Sequence, residues 1–169
     1  MLKPGSHAPE LAVETLEGET WRLSERNPEN FTLIVFYRGL HCPICRKQLQ
    51  ELTEKLDHFR ANGVEVIAIS GDQRDRAERS HKDWQLGELR VGYRQRVDSM
   101  RDWGLFISRS IKEGEPELFG EPGLFLIRPD GTVYYEAIQS MPFARPPLDD
   151  LLGAISFVVK NGYPPRGEA

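Results

Sequence analysis

The sequence predicts an α/β protein with a central mixed β-sheet flanked by helices, and three observations predict it. Two apolar runs rich in β-formers, "FTLIVFY" (31–37) and "VEVIAIS" (64–70), bracket a segment whose apolar residues recur at helical spacing. A second pair of apolar runs, within "GLFLIRPDGTVYYEAI" (123–138), is joined by the turn residues Pro129, Asp130 and Gly131. An amphipathic stretch, "PLDDLLGAISFVVKNG" (147–162), follows that hairpin. Strand, helix and strand in succession give a right-handed βαβ unit with parallel strands, and the hairpin adds an antiparallel pair.

Taken in order, "APELAVETLEGETWRLS" alternates weakly and turns at Glu17-Gly18, which predicts a leading β-hairpin. The run at 31–37 is apolar nearly throughout, as a strand covered on both faces requires. Cys45, Leu49, Leu52, Leu56 and Phe59 then form the stripe of one helix with one buried face, stopped by Asn62-Gly63. A second helix is expected from about Arg74 to Trp84, capped by Asp72, with the run "DQRDRAERSHKD" as a solvated face. A short strand follows at "LRVGY". Residues 104–120 are the least regular inner stretch and read as a long surface loop, while Trp84 and Trp103 read as packing residues. The last helix starts near Pro147 and ends at Asn161-Gly162. The 169 residues suit a single domain spanning 1–169.

Charged residues make up 28% of the chain and hydrophobic ones 39%, with both signs of charge scattered, as in an ordinary soluble protein. A net charge of −4 without a basic stripe argues against nucleic acid or an anionic membrane as partner. No apolar run suits a secretory leader or a membrane span, so the expected location is cytoplasmic. In a reducing compartment, two cysteines three positions apart point to catalysis, redox sensing or metal binding rather than to a structural staple.

Those cysteines lie in "FYRGLHCPICRKQL" (36–49). Placing the helix start at Cys42 puts Pro43 in the first helical position, where its missing N–H costs nothing. Cys42 is then the cap residue, and its thiolate faces unpaired backbone N–H groups and the positive end of the helix dipole. Arg38, Arg46 and Lys47 should favour the same charged form. Cys45 heads the apolar stripe and should be the more buried thiol, keeping its proton. Two positions so spaced lie roughly 5 Å apart at their α-carbons, within disulfide range. The expectation is an exposed attacking Cys42 and a sheltered resolving Cys45. Two readings stand beside it: both cysteines as small core hydrophobes, or a metal site drawing on His7, His41, His58 or His81, although no second metal-ligand motif accompanies the pair. His41 could also favour the Cys42 thiolate directly. His58 and His81 fall on predicted helices as solvated residues.

With "VFYRG", "HCPIC" and "EPGLFLIRPDG" in place, the chain resembles the peroxiredoxin-like AhpC/TSA (alkyl hydroperoxide reductase and thiol-specific antioxidant) family of the thioredoxin-fold superfamily. The opening "PGSHAPELAVETLEGETWRLSE" resembles the family's front segment and "VIAISGD" its second core strand. The resemblance implies a thioredoxin-like fold with an N-terminal hairpin extension and an oxidoreductase needing no metal or cofactor. It implies a disulfide-bearing protein or a peroxide as oxidant, and a thioredoxin or glutathione type reductant. By position, Cys42 matches the nucleophilic cysteine and Cys45 the second, resolving cysteine. Pro122 matches the superfamily's usually cis proline facing the active cysteine, so Pro122 and His41 are the substrate-facing candidates, with Glu121 lining a groove whose backbone edge is free to pair with substrate. The chain departs from the family's pattern before Cys42, where a proline and a threonine or serine are replaced by Val35 and Gly39, and before the late strand, where Glu121-Pro122 replaces an arginine. The missing threonine and arginine are the groups that hold a peroxide, so the sequence favours a thiol-disulfide oxidoreductase over a thiol peroxidase. A non-catalytic binding or metal-binding module of the same fold is the alternative of another class.

Overall fold

A computed structural model describes residues 2–169. The leading hairpin forms as β1 (Ala12–Thr15) and β2 (Thr20–Arg22). The βαβ unit follows as β3 (Phe31–Phe36), α1 (Pro43–Glu54), α2 (Leu56–Ala61) and β4 (Val64–Ile69). Next come α3 (Arg74–Asp83), β5 (Arg90–Tyr93), α4 (Val97–Asp102), β6 (Ile107–Arg109) and β7 (Leu118–Gly120). The second hairpin is β8 (Gly123–Ile127) and β9 (Val133–Ile138), and α5 (Leu148–Asn161) ends at Gly162 in the left-handed conformation that glycine adopts freely.

The main sheet has seven strands in the order β2-β1-β5-β4-β3-β8-β9. β3 and β4 pair in parallel from Phe31 opposite Val64 to Phe36 opposite Ile69, and β5 continues parallel to β4. β8 runs antiparallel to β3, β9 antiparallel to β8, and β1 joins β5 antiparallel, giving the mixed sheet that the sequence predicts. Successive residues of a strand face opposite sides, so β3 supplies two cores at once. Leu33 and Val35 pack with Leu49, Leu52, Phe59, Leu151 and Ile155 beneath α1, α2 and α5. Ile34 and Phe36 pack on the other face with Met100, Trp103, Phe125 and the hairpin's Trp21. Trp103 is fully buried, its ring 4.9 Å from Phe125 and 5.4 Å from Phe36, which is the packing role expected of it.

Three expectations change. The helix carrying the cysteine stripe breaks at Lys55, although the stripe runs across the break. Thr53 Oγ1 donates to Leu49 O at 2.8 Å, the back-bonding that bends helices, and Lys55 Nζ then reaches Glu51 and Asp149 of α5. Gln73, not Asp72, caps α3, because the Asp72 carboxylate turns inward to other partners. The stretch 104–120 is not a loop throughout: β6 and β7 form a two-stranded ribbon, preceded by α4. Three-residue strands are too short to leave a period in a sequence.

Candidate active site

β3 and β4 end side by side, and the site is built where they stop. Tyr37 N–H donates to Ile69 O at 3.0 Å, extending the ladder one residue beyond β3. The chain then turns, with Cys42 N–H donating to Gly39 O at 3.1 Å. The turn is held by Asp72, just past β4, whose carboxylate accepts from Leu40 N–H at 2.8 Å and from Arg76 Nε at 3.2 Å. Burial raises the Asp72 pKa above the ordinary carboxylate value, and the Leu40 N–H and the Arg76 charge oppose that rise. Gly39 has φ of +137°, and a β-carbon on it would stand 2.7 Å from Asp72 Oδ1, so glycine is the residue this turn accepts.

Cys42 caps α1 with Pro43 in the first turn, as the sequence predicts, and its Sγ accepts from Cys45 N–H at 3.1 Å. Its pKa falls from 9.0 to about 6. The Cys45 thiol, as hydrogen-bond donor, is the largest cause; the Cys45 N–H and the charges of Arg145 and Arg38 add to it, against the opposing cost of burial. Cys45 moves the opposite way, well above an ordinary thiol, first through burial and then because it donates to Cys42. Each hydrogen bond to a charged group is worth about 1.5–3 kcal/mol, so two on the Cys42 sulfur can outweigh its desolvation.

Two site expectations need correction. Cys42 is not exposed: it is 1% accessible, beside Cys45 at 0%. The segment between β9 and α5 reaches over the pair, with Arg145 Nη2 3.0 Å from Cys45 Sγ and 3.9 Å from Cys42 Sγ. Pro122 is not the free, cis, substrate-facing proline either. Its peptide bond is trans, the residue is buried, and its carbonyl accepts from Gln139 N–H at 3.0 Å. Glu121 N–H donates to Phe106 O at 2.8 Å, so the chain's own β6 end and β9 end occupy that backbone edge.

His41 lies beside the site without bonding a thiol. Its ring packs on Phe119 at 4.7 Å between centroids, and both ring nitrogens lack a hydrogen-bond partner among the described residues. Burial, then the Arg38 charge, lowers its pKa to about 4, so it is neutral near pH 7 and cannot favour the thiolate as a cation. Arg38 does approach the pair: its N–H donates to Cys45 Sγ at 3.4 Å and its guanidinium covers Phe119 at 4.8 Å. Arg38 Nε also lies 3.2 Å from Glu121 Oε2, a buried carboxylate whose Oε1 accepts from Ser108 Oγ at 2.6 Å. Arg46 and Lys47 are exposed and point their charge to water. His58 is exposed, as expected, whereas His81 is half-buried with Nε2 3.0 Å from Gly87 O, and His7 lies at the Thr132 bridge. Among the described residues no group of three or more His, Cys, Asp or Glu side chains could hold a metal ion.

Arg145 and Gln48 are the site residues that sequence reasoning missed. Arg145 Nη1 donates to Gln48 Oε1 and Nε to Pro142 O at 2.7 Å. The available signal was that Arg145 is the lone charged residue between Glu136 and Asp149.

A mixed sheet delivering a dithiol to a helix mouth defines a thiol-redox protein of thioredoxin-like architecture. The AhpC/TSA family model matches residues 4–136, and the chain belongs to that family of oxidoreductases. It is 25% identical to a putative peroxiredoxin of Trieres chinensis over 84% of this chain and 70% of that protein. It is also 26% identical to the thiol-disulfide oxidoreductase ResA of Halalkalibacterium halodurans, over 43% of this chain and only 40% of that protein's length. Among solved structures it superposes on the peroxidoxin BcpB of Mycobacterium tuberculosis with a TM-score of 0.76, at 16% identity, covering 94% of this chain and 99% of that one. A putative thiol:disulfide interchange protein DsbE of Chlorobium tepidum superposes with a TM-score of 0.70 at 20% identity, again over 94% and 99% of the two chains. Those likenesses establish the thioredoxin-like fold with its leading hairpin. No helix among the described residues is long and apolar enough to cross a membrane.

Cys42 releases its proton at about 6 when folded and at the ordinary value of 9.0 when unfolded, so the folded chain binds fewer protons between those limits. Reduced wild type should therefore hold a stability advantage over Cys42→Ser that is complete above pH 9.0 and lost as pH falls through about 6; urea midpoints across that range check it, and a pH-independent difference would contradict it. Gly39→Thr, which restores the family's residue, should cost about 2 kcal/mol or more in urea unfolding, because a side chain at that φ strikes Asp72.

Proposed function

We propose that this chain is a thiol-disulfide oxidoreductase acting through a Cys42/Cys45 cycle carried by one domain, 1–169. The observation that carries the reading is the inequality of the two sulfurs: Cys42 takes the helix-cap N–H and the Cys45 S–H, while Cys45 keeps its proton. The Cys42 thiolate attacks one sulfur of a substrate disulfide and expels the other as a thiolate. Cys45 then attacks Cys42 Sγ in the mixed disulfide, releasing the second substrate thiol and leaving a Cys42–Cys45 disulfide. Two electrons pass from the dithiol to the substrate, and no cofactor or metal is needed. An external thiol of thioredoxin or glutathione type restores the pair, which suits a reducing compartment such as the cytoplasm.

A disulfide-bearing protein is favoured as oxidant over a peroxide. The family's peroxide-holding threonine is replaced by Gly39 in a turn with no room for a side chain, and the nearby Arg38 is engaged with Glu121. Missing donors of that kind are worth about a hundredfold or more each in rate.

Steady-state turnover of wild type, Cys42→Ser and Cys45→Ser on a protein disulfide, hydrogen peroxide and an organic hydroperoxide tests the proposal. Wild type should reduce the disulfide with kcat/KM about a hundredfold or more above that for either peroxide. Cys42→Ser should be inactive, and Cys45→Ser should accumulate the mixed disulfide. Peroxide consumption that matches disulfide reduction and depends on Cys42 would overturn the preference, and disulfide reduction surviving Cys42→Ser would overturn the cycle.

A further inference from the structure

We infer that Arg145 is a catalytic residue of the second half of this cycle, stabilising the Cys45 thiolate as it attacks the mixed disulfide on Cys42. The inference rests on the dithiol reading and assigns a role to a residue beyond the stretch, 4–136, that the family model matches.

The chemistry sets a problem that the Cys42 geometry does not solve. Cys45 must lose its proton to attack, yet in the resting dithiol it is held protonated by burial and by its neighbour's charge. These two restraints have different fates. Once Cys42 Sγ is bonded to a substrate sulfur, its negative charge is gone and it no longer needs the Cys45 proton. Burial remains, because Cys45 is 0% accessible. A buried thiolate then forms only where donors replace water.

The groups facing Cys45 are Cys42 on α1, Tyr37 and Arg38 at the end of β3, and Arg145 from the segment between β9 and α5. Tyr37 is buried and its phenol pKa is raised, so it stays neutral. Arg38 offers a backbone N–H at 3.4 Å, while its guanidinium lies against Glu121 and Phe119. Arg145 offers a charged N–H at 3.0 Å, nearer to Cys45 than to Cys42 at 3.9 Å. Its aim is fixed at all three nitrogens: Nε on Pro142 O, Nη1 on Gln48 Oε1 and Nη2 on the sulfurs. No carboxylate among the described residues forms a salt bridge with it, so its charge is left for the thiols.

The steps balance. Cys42-S⁻ attacks R–S–S–R′, breaking its S–S bond to give Cys42–S–S–R and R′S⁻, and Cys45 then gives its proton to solvent. Cys45-S⁻, held by Arg145 Nη2 and Arg38 N–H, attacks Cys42 Sγ; the S–S bond between Cys42 Sγ and the R sulfur breaks, the Cys42–Cys45 disulfide forms, and RS⁻ leaves to solvent.

An aromatic disulfide whose thiolate is coloured, Ellman's reagent, separates the halves in stopped flow: the first equivalent of colour reports attack by Cys42 and the second reports resolution by Cys45. Arg145→Gln should slow the second phase relative to the first by about tenfold or more, and should move the second phase's pH midpoint upward by about one unit. Arg145→Lys, which keeps the charge and loses the fork, should recover part of the ratio, and it supplies the same comparison if the glutamine variant is unstable in urea. Equal slowing of both phases, or an unchanged ratio, would overturn the role of Arg145. A first phase that persists in Cys42→Ser, or a second that persists in Cys45→Ser, would instead overturn the dithiol cycle beneath it.

Discussion

The rest of the site depends on one hydrogen bond, from Cys45 N–H to Cys42 Sγ, closed at the first turn of α1. It needs a cap residue in extended conformation, which Cys42 adopts at φ −107° and ψ 104°, and a first helical residue with no donor to waste, which Pro43 supplies. The same bond fixes the sulfur of one cysteine against the backbone of the other. Its second consequence is chemical, because the cap N–H is left without a helical partner and an anion satisfies it better than a neutral thiol. The Cys45 thiol then donates to Cys42, and the helix turn that brings the cysteines together also makes them unequal.

The loop that carries Cys42 to this position is constrained from the neighbouring strand. Asp72 sits three residues beyond β4 and holds Leu40 N–H, and its carboxylate occupies the space where a side chain on residue 39 would go. Packing therefore accounts for the departure from the family's peroxide-binding pattern: the glycine and the buried aspartate are complementary. A similar exchange occurs across the site, where Glu121 meets Arg38 and Ser108 in place of the family's arginine. Gly39 thus brings no hydroxyl, and Glu121 brings a buried carboxylate where the family's pattern has a cation.

The βαβ unit, both hairpins and the last helix were legible because each carries a period or a turn signature several residues long. Cys42 as cap and Cys45 as head of the stripe were legible for the same reason, since Pro43 and the spacing to Leu49 are local facts. What escaped the sequence is what long-range approach decides. Arg145 lies about a hundred positions from the cysteines, and only the return of the chain from β9 to α5 brings it to the sulfurs; closing a loop that long leaves no local signature. The burial of Cys42 was misread for that reason. The trans, buried Pro122 was misread because the ribbon of β6 and β7, with three residues in each strand, was invisible, and that ribbon's lead-in residue Phe106 takes the backbone edge expected to stay free. Asp72 was recognised as a capping residue type and placed on the wrong element, since an aspartate beside a helix start can serve either the helix or a neighbouring loop.

The most direct test of this account is an NMR titration of the reduced protein with isotope-labelled cysteine β-carbons, following both thiols separately. The Cys42 signal should titrate with a midpoint of about 6, while the Cys45 signal should not titrate until well above 9.0. Two signals that move together near 9.0 would contradict it, because the helix cap would then have failed to distinguish one sulfur from the other.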